Sequence, residues 1–365
     1  MIRKILDFRD VDWMLFGLAI LIAAIGVVEI YSTTSHNPAL ASQYKRQVYW
    51  IILGAIVALV ISRVDYHVIL EQVPWLYCLS IAALILLLVR GHSVAGVRRW
   101  ISLGGVLTFQ VSEFVKLVII LVVAALLADQ RGKSVTWKDL IKLGVLAGLP
   151  AALVALEPDL GTALTFFPIA AAGVLLAGVR TRQVLVVGLA GILMLPVAWH
   201  FARPYQRDRV MSFIHPKQDV RGASYQSMQS KIAIGSGGLW GKGVGNGTQS
   251  QLGFIPVSHA DFIFAAFSEE QGFAGTLFVL MLYLALLLRL LDSAQMAGDR
   301  AGTLVLVGIT ALLFFQVAVN VGMMIGLFPV TGIPLPLMSQ GGSSVLSTFL
   351  GLGLAMSVRM RRLVY

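Results

Sequence analysis

Apolar stretches long enough to cross a bilayer recur from one end of this chain to the other, which leaves little room for any other kind of fold. A hydrocarbon core of about 30 Å takes about 17 to 25 mainly apolar residues per helical crossing. Ten such stretches are read here: 13–31, 48–61, 75–89, 111–127, 140–156, 160–179, 184–201, 262–288, 304–326 and 337–358. The second and third are short by that measure. Of the 365 residues 58% are hydrophobic and only 13% charged, whereas soluble domains run near a quarter charged. The expectation is an all-α polytopic membrane protein, one membrane domain over 1–365, with no soluble domain of any size.

Basic residues set the orientation. An even number of crossings puts both termini on one side. If that side is the cytoplasm, the inner segments carry Arg3, Lys4, Arg9, Arg63, Arg131, Lys133, Lys138, Lys142, Arg180, Arg182, Arg289, Arg300, Arg359, Arg361 and Arg362. The short outer loops carry only Lys45, Arg46, Arg90, Arg98 and Arg99. The positive-inside rule then favours both ends inside. The first stretch lacks a small-residue cleavage site and reads as a retained anchor. Cys78 is the single cysteine, so no disulfide forms within the chain.

Residues 202–261 form the one large loop, between the seventh and eighth stretches. A connection that long is functional or disordered, and Tyr205, Phe213, Tyr225, Ile232, Leu239, Trp240 and Phe254 argue for packing. Its glycine run, "GSGGLWGKGVGNG", fails as a nucleotide loop. Ser236 stands where the first Walker glycine belongs, and Gly243 where a Ser or Thr would hold magnesium. The loop is basic, with Arg203, Arg207, Arg209, Lys217, Arg221, Lys231 and Lys242 against Asp208, Asp219 and Asp261. Two readings fit: charges that keep a loop solvated, or exposed N–H groups and cations that hold an anionic ligand on the outer face.

Ionisable residues inside crossings cost about 2.5 to 3.5 kcal/mol each on insertion scales. Glu113 and Lys116, in "QVSEFVKL", stand three apart and share a helical face as an ion pair; a bridge between helices is the structural reading. Glu157 and Asp159 flank Pro158, and Asp159 suits a helix cap. Glu29 lies near the outer end of the first stretch, within reach of the interface. At the head of the eighth, Asp261 is followed by Glu269 and Glu270. Helical geometry puts Glu269 about 12 Å further along and roughly 80° round, with Glu270 on the opposite face. That spacing excludes a glycosidase pair, whose carboxyls sit about 5 to 9.5 Å apart. No His or Cys completes a zinc spacing around His259, which reads as an exposed loop residue. Asp261 then has two readings, a helix-capping residue or a lone general base. The second suits a substrate that brings its own diphosphate leaving group and needs only its attacking hydroxyl deprotonated.

Five segments taken together, "RRWISLGGVLTFQVSEFVKL", "EPDLGT", "SYQSMQSKIAIGSGGLWGKG", "FIPVSHADFIFAAFSEEQG" and "NVGMMIGLFPVTGIPLPLMSQGGSS", resemble the SEDS family (shape, elongation, division and sporulation) over essentially the full length. "PVTGIPLP" and the short N-terminus resemble its elongation member more than its division member. The resemblance implies ten helices with both termini cytoplasmic, in the bacterial cytoplasmic membrane. It implies a glycosyltransferase that polymerises lipid II, an undecaprenyl-diphosphate-linked disaccharide pentapeptide, into β-1,4 glycan at the outer face during cell elongation. Undecaprenyl diphosphate is released. Asp261 matches the family's catalytic carboxylate, and would act as general base for the acceptor's 4-hydroxyl, with inversion.

On the same resemblance Arg203, Lys231 and Lys242 are candidate diphosphate contacts, and Arg99 and Trp100 candidate wall residues. Ser339, Gly341, Gly342 and Ser343 match the last motif on the substrate side. Glu113, Lys116 and Asp159 match the polar core, and Glu269 and Glu270 are expected to partner neighbouring helices. A divalent cation, Mg or Mn, is compatible with the chemistry, though no ligand set is visible. Expected partners are a class B penicillin-binding protein transpeptidase, the elongation machinery and membrane lipids, with no nucleic acid. Ala260, Gln340 and Val111 depart from the family's Thr, Tyr and Pro, which leaves those three side chains without an assigned role. Two alternatives remain: a transporter that flips lipid-linked precursor, and a scaffold that only positions a transpeptidase.

Overall fold

The computed structural model of the chain describes residues 10–38, 40–90, 92–94, 97–103, 107–129, 134–215, 223–255 and 258–362. Helices occupy all ten predicted stretches: α1 (Trp13–Thr34), α2 (Gln43–Arg63), α4 (Val73–Arg90), α5 (Val111–Leu127), α6 (Trp137–Leu156), α7 (Leu160–Ala177), α8 (Thr181–Phe201), α12 (Ile263–Gln295), α13 (Arg300–Ile325) and α14 (Gly342–Met360). Four shorter helices join them: α3 (Tyr66–Glu71), α9 (Pro204–Ile214), α10 (Ala223–Ser236) and α11 (Thr248–Gln251). Eight helices are long and apolar enough to cross a membrane. The chain is a multi-pass membrane protein.

The fold is helical, with one small addition: β1 (His92–Val94), β2 (Val97–Leu103) and β3 (Leu107–Phe109) form an antiparallel sheet between α4 and α5. His92 pairs with Trp100 and Ile101 with Phe109. Val97, Trp100, Ile101 and Phe109 are residue types that suit a pleated surface. One expectation needs correction: the last stretch becomes helical only at Gly342. Leu337 takes a φ of 67°, which breaks any helix, and the segment between α13 and α14 runs as a loop instead.

The bundle is held by close backbone approach. On α2, a Cβ at Gly54 would lie 2.6 Å from the Phe349 ring of α14. Small residues do this work where lipid offers no hydrophobic drive between helices. Helices α5, α13 and α14 are deeply enclosed, whereas the described residues of α8 beyond Gln183 are exposed, as a lipid-facing helix should be. One buried ion pair joins two helices. Lys116 Nζ lies 2.8 Å from Glu113 Oε1 with both side chains buried, and Ser347 Oγ of α14 donates to Glu113 Oε2 at 3.1 Å. The pair bridges α5 to α14. At the end of the bundle where α1 begins, Asp12 caps α1 and meets Arg289 of α12 at 2.9 Å and Arg359 of α14 at 3.1 Å.

Helix α12 is broken at Gly272, where φ is 66° and ψ −166°. Residues 273–295 alone rise about 34 Å at 1.5 Å each, enough to cross the hydrocarbon core. The nine residues before the break, Ile263 to Gln271, are almost wholly buried in protein. They carry Glu269 and Glu270 and lead back to Asp261.

Candidate functional site

Asp261 sits half-buried in a turn just ahead of α12. The backbone of that turn is fixed at three successive carbonyls. His259 O accepts from Gln340 N at 3.0 Å, Ala260 O from Ser339 Oγ at 2.7 Å, and Asp261 O from Asn320 Nδ2 at 3.1 Å. All three donors belong to α13 or to the loop joining α13 to α14. That loop is held from behind. Ser339 Oγ also accepts from Leu335 N at 2.9 Å, buried Gln47 of α2 donates to Ser339 O at 3.0 Å, and Tyr283 Oη donates to Pro336 O at 2.6 Å.

Gly332 faces the carboxylate: a Cβ there would lie 3.4 Å from Asp261 Oδ2, and its φ is +74°. Neighbouring elements close on the same stretch. Gly161 at the start of α7 abuts Thr331 O, where a Cβ would come within 2.6 Å, and Arg209 Nη1 of α9 donates to Thr331 O at 3.1 Å. An alanine at Gly332 would adopt a left-handed conformation costing about 1–2 kcal/mol. Gly332→Ala is expected to lower stability by about that amount, read as an earlier thermal transition of the detergent-solubilised protein.

His259 is half-buried rather than exposed as expected, and burial lowers its pKa below the ordinary imidazole value. It is therefore neutral beside Asp261 at neutral pH. Its folded-state pKa lies below the unfolded value, so it costs nothing near neutral pH, and its contribution falls away as the medium is acidified through the unfolded pKa. Among the described residues no group of three or more His, Cys, Asp or Glu is placed to hold a metal ion.

The glycine run has a structural purpose that its composition did not disclose. It lays its backbone into the break of α12. Lys242 N donates to Glu269 O at 3.1 Å and Gly243 N to Glu270 O at 2.9 Å, while Phe273 N and Ala274 N donate to Gly238 O and Leu239 O at 2.8 and 3.0 Å. A helix interrupted at Gly272 leaves such groups unpaired, and the loop satisfies them. Side chains are excluded at the contact: a Cβ on Gly241 would stand 2.1 Å from Glu270 O.

This placement revises several expectations. Lys242 does not offer a free ammonium to a diphosphate. Its Nζ lies 2.6 Å from Glu269 Oε1 and 2.8 Å from Thr248 Oγ1. Glu269 and Glu270 are both fully buried; Glu269 partners the glycine-rich loop and the α11 segment, whereas Glu270 partners α1, a neighbouring helix. Glu269 accepts from Gln249 N at 3.0 Å and Ser250 N at 3.3 Å, and Glu270 from Ser32 Oγ of α1 at 2.6 Å. Glu29 does not reach the interface; it is 1% exposed, and its Oε1 has no hydrogen-bond partner among the described residues.

The other candidates divide. Ser339 is at the Asp261 turn, with its hydroxyl committed to the backbone there. Gly341 N donates to Gln47 Oε1 at 3.2 Å, and Gly342 gives way to Trp50, whose ring a Cβ would meet at 2.3 Å. Ser343 Oγ accepts from Gln110 N at 2.9 Å. These three tie α14 to α2 and α5. Asp159 caps α7 through Thr162 N at 3.2 Å and accepts from Gln110 Nε2 at 3.0 Å. Arg203 is exposed and reaches Leu156 O at 3.4 Å; Lys231 is exposed and lies against Gly326, the C-cap of α13. Trp100 is half-buried on β2. The side chain of Arg99, and all of Lys217 and Arg221, lie outside the described residues. Asn320, Gln47 and Gly332 escaped the sequence reading. For Asn320 the signal was an amide inside the apolar run "QVAVNVGMMIG".

Comparison with known proteins places this geometry. The chain is 37% identical over 360 residues to peptidoglycan glycosyltransferase MrdB of Escherichia coli K12, covering 97% of this chain and 94% of that protein. It is 31% identical to peptidoglycan glycosyltransferase RodA of Treponema pallidum, covering 99% and 100%. Among solved structures, a chain of a peptidoglycan synthase complex described as coordinating polymerization and crosslinking superposes with TM-score 0.81 at 32% identity, covering 96% and 98%. Thermus thermophilus RodA superposes with TM-score 0.72 at 31% identity, covering 96% and 97%. The family model for the FtsW, RodA and SpoVE cell cycle proteins matches residues 12–363, and the chain belongs to that family.

Proposed function

We propose that this chain is a peptidoglycan glycosyltransferase that polymerises lipid II, with Asp261 as its general base. The observation that carries the assignment of Asp261 is the turn itself: a carboxylate at the head of α12 whose backbone is bonded at three consecutive carbonyls. A base held within a fraction of an ångström is what proton abstraction from a bound hydroxyl requires. The 4-hydroxyl of the acceptor sugar gives its proton to Asp261 as its oxygen attacks the donor's anomeric carbon from the face opposite the leaving group. The C1–O bond to phosphate breaks, undecaprenyl diphosphate departs with the electron pair, and the new β-1,4 linkage is inverted. The leaving group needs no acid, only cations for its charge. With Lys242 engaged by Glu269, exposed Arg203 and Lys231 are the remaining candidates, and Arg99 and Trp100 would form a wall.

Ten crossings with both termini in the cytoplasm accommodate the eight long helices together with α4 and α5. In that arrangement Asp261 faces outward from the bacterial cytoplasmic membrane. The chain would work beside a class B penicillin-binding protein within the elongation machinery, a reading supported by its likeness to a chain of a peptidoglycan synthase complex.

The test is purified protein with lipid II in detergent, where no sided membrane exists, alone and with a transpeptidase partner added. Glycan strands are expected. Folded protein that binds lipid II and yields no strands in either mixture would overturn the reading in favour of flipping or scaffolding.

A further inference from the structure

Asn320 is fully buried in α13, within an otherwise apolar stretch. Its amide nitrogen bonds two carbonyls at once, Asp261 O at 3.1 Å and Ile333 O at 2.8 Å. Both partners are pure acceptors, so the NH₂ end must face them, and the carbonyl end is forced the other way. That end, Oδ1, is buried with no partner among the described residues. Leaving a buried acceptor unpaired is unfavourable. Leucine would remove the unpaired acceptor and fit the volume, so what keeps an amide here is the pair of donors it supplies. Those donors join the two walls of the site. One is the turn that carries Asp261; the other is the stretch that carries Gly332, against whose Cα face the Asp261 carboxylate lies. Serine could supply one donor, and aspartate none in its ionised form.

We propose that Asn320 is the positioning residue for Asp261, fixing the base against the 331–335 segment so that its carboxylate meets the acceptor hydroxyl. Ser339 and Gln340 hold the two preceding carbonyls, and Asn320 ties residue 261 itself to the opposite wall. The inference rests on Asp261 being the general base, and adds to it the residue that places it.

The experiment follows lipid II polymerisation in detergent by wild type, Asp261→Ala, Asn320→Ser and Asn320→Leu, each taken as the monodisperse fraction and normalised to lipid II bound per chain. Full pH–rate profiles are recorded. Asn320→Leu is expected to lower kcat about tenfold or more with KM for lipid II within about twofold, as loss of orientation alone does. Asn320→Ser should fall between it and wild type. The acidic limb of the profile should move by about half a pH unit or more, because the base now sits in altered surroundings. A purely structural defect would scale the whole profile and leave its shape intact. Asp261→Ala inactive with Asn320→Leu at wild-type turnover, or merely scaled, overturns the positioning role. Asp261→Ala at wild-type rate overturns the base assignment instead.

Discussion

Asp261→Ala is expected to lower the rate of glycan polymerisation by about 10²- to 10⁴-fold, the usual contribution of a positioned general base, while lipid II binding is retained. Retention follows from the architecture. The backbone of residues 259–261 is held through its carbonyls by Ser339, Gln340 and Asn320, so removing the carboxylate leaves the turn in place. Asp261→Asn, which keeps size and polarity and loses basicity, should be as inactive as alanine. Initial rates of strand formation, resolved by gel from labelled lipid II, decide the point. Full activity in either variant would remove Asp261 from the chemistry.

A large effect on stability is expected at the Lys242–Glu269 pair. Glu269 is 0% exposed and Lys242 27% exposed at a separation of 2.6 Å. Lys242→Met strands a carboxylate in the interior, and breaking a buried pair from one side costs about 3–5 kcal/mol. The lower end applies, since Thr248, Gln249 and Ser250 still donate to Glu269. The loss should appear as an earlier thermal transition in detergent and as faster proteolysis within residues 237–251. Lys242→Met combined with Glu269→Gln should recover much of it, because no buried charge is then left alone. A single variant as stable as wild type would mean that the loop is held by its backbone bonds only.

What could be read from the sequence followed the physics of each signal. Hydropathy found every long helix, because a crossing must be apolar over its whole length. The spacing of Glu113 and Lys116 gave their ion pair for the same local reason. Long-range consequences of glycine were not legible. The 236–247 run could be ruled out as a nucleotide loop, but that it fills a break at Gly272 depends on two segments meeting in space. The fate of Lys242 followed from that meeting. Asn320 was missed for a similar reason, since its acceptors lie 59 and 13 residues away in sequence. Ser339, Gly341, Gly342 and Ser343 of the last motif were read toward substrate, and the contacts that Gly341, Gly342 and Ser343 make with α2 and α5 depend on long-range packing.

The docking of the 237–247 loop into α12 also bears on how the chain is made. Synthesis runs from the N-terminus, so α1 with Ser32 and the whole glycine-rich loop exist before Gly272 leaves the ribosome. When α12 enters the bilayer, the groups that will satisfy its interrupted backbone have already been made. A broken helix arriving first would face lipid with its peptide groups open. Chain order spares it that exposure, and a circular permutant that delivers α12 ahead of the loop would forfeit the protection.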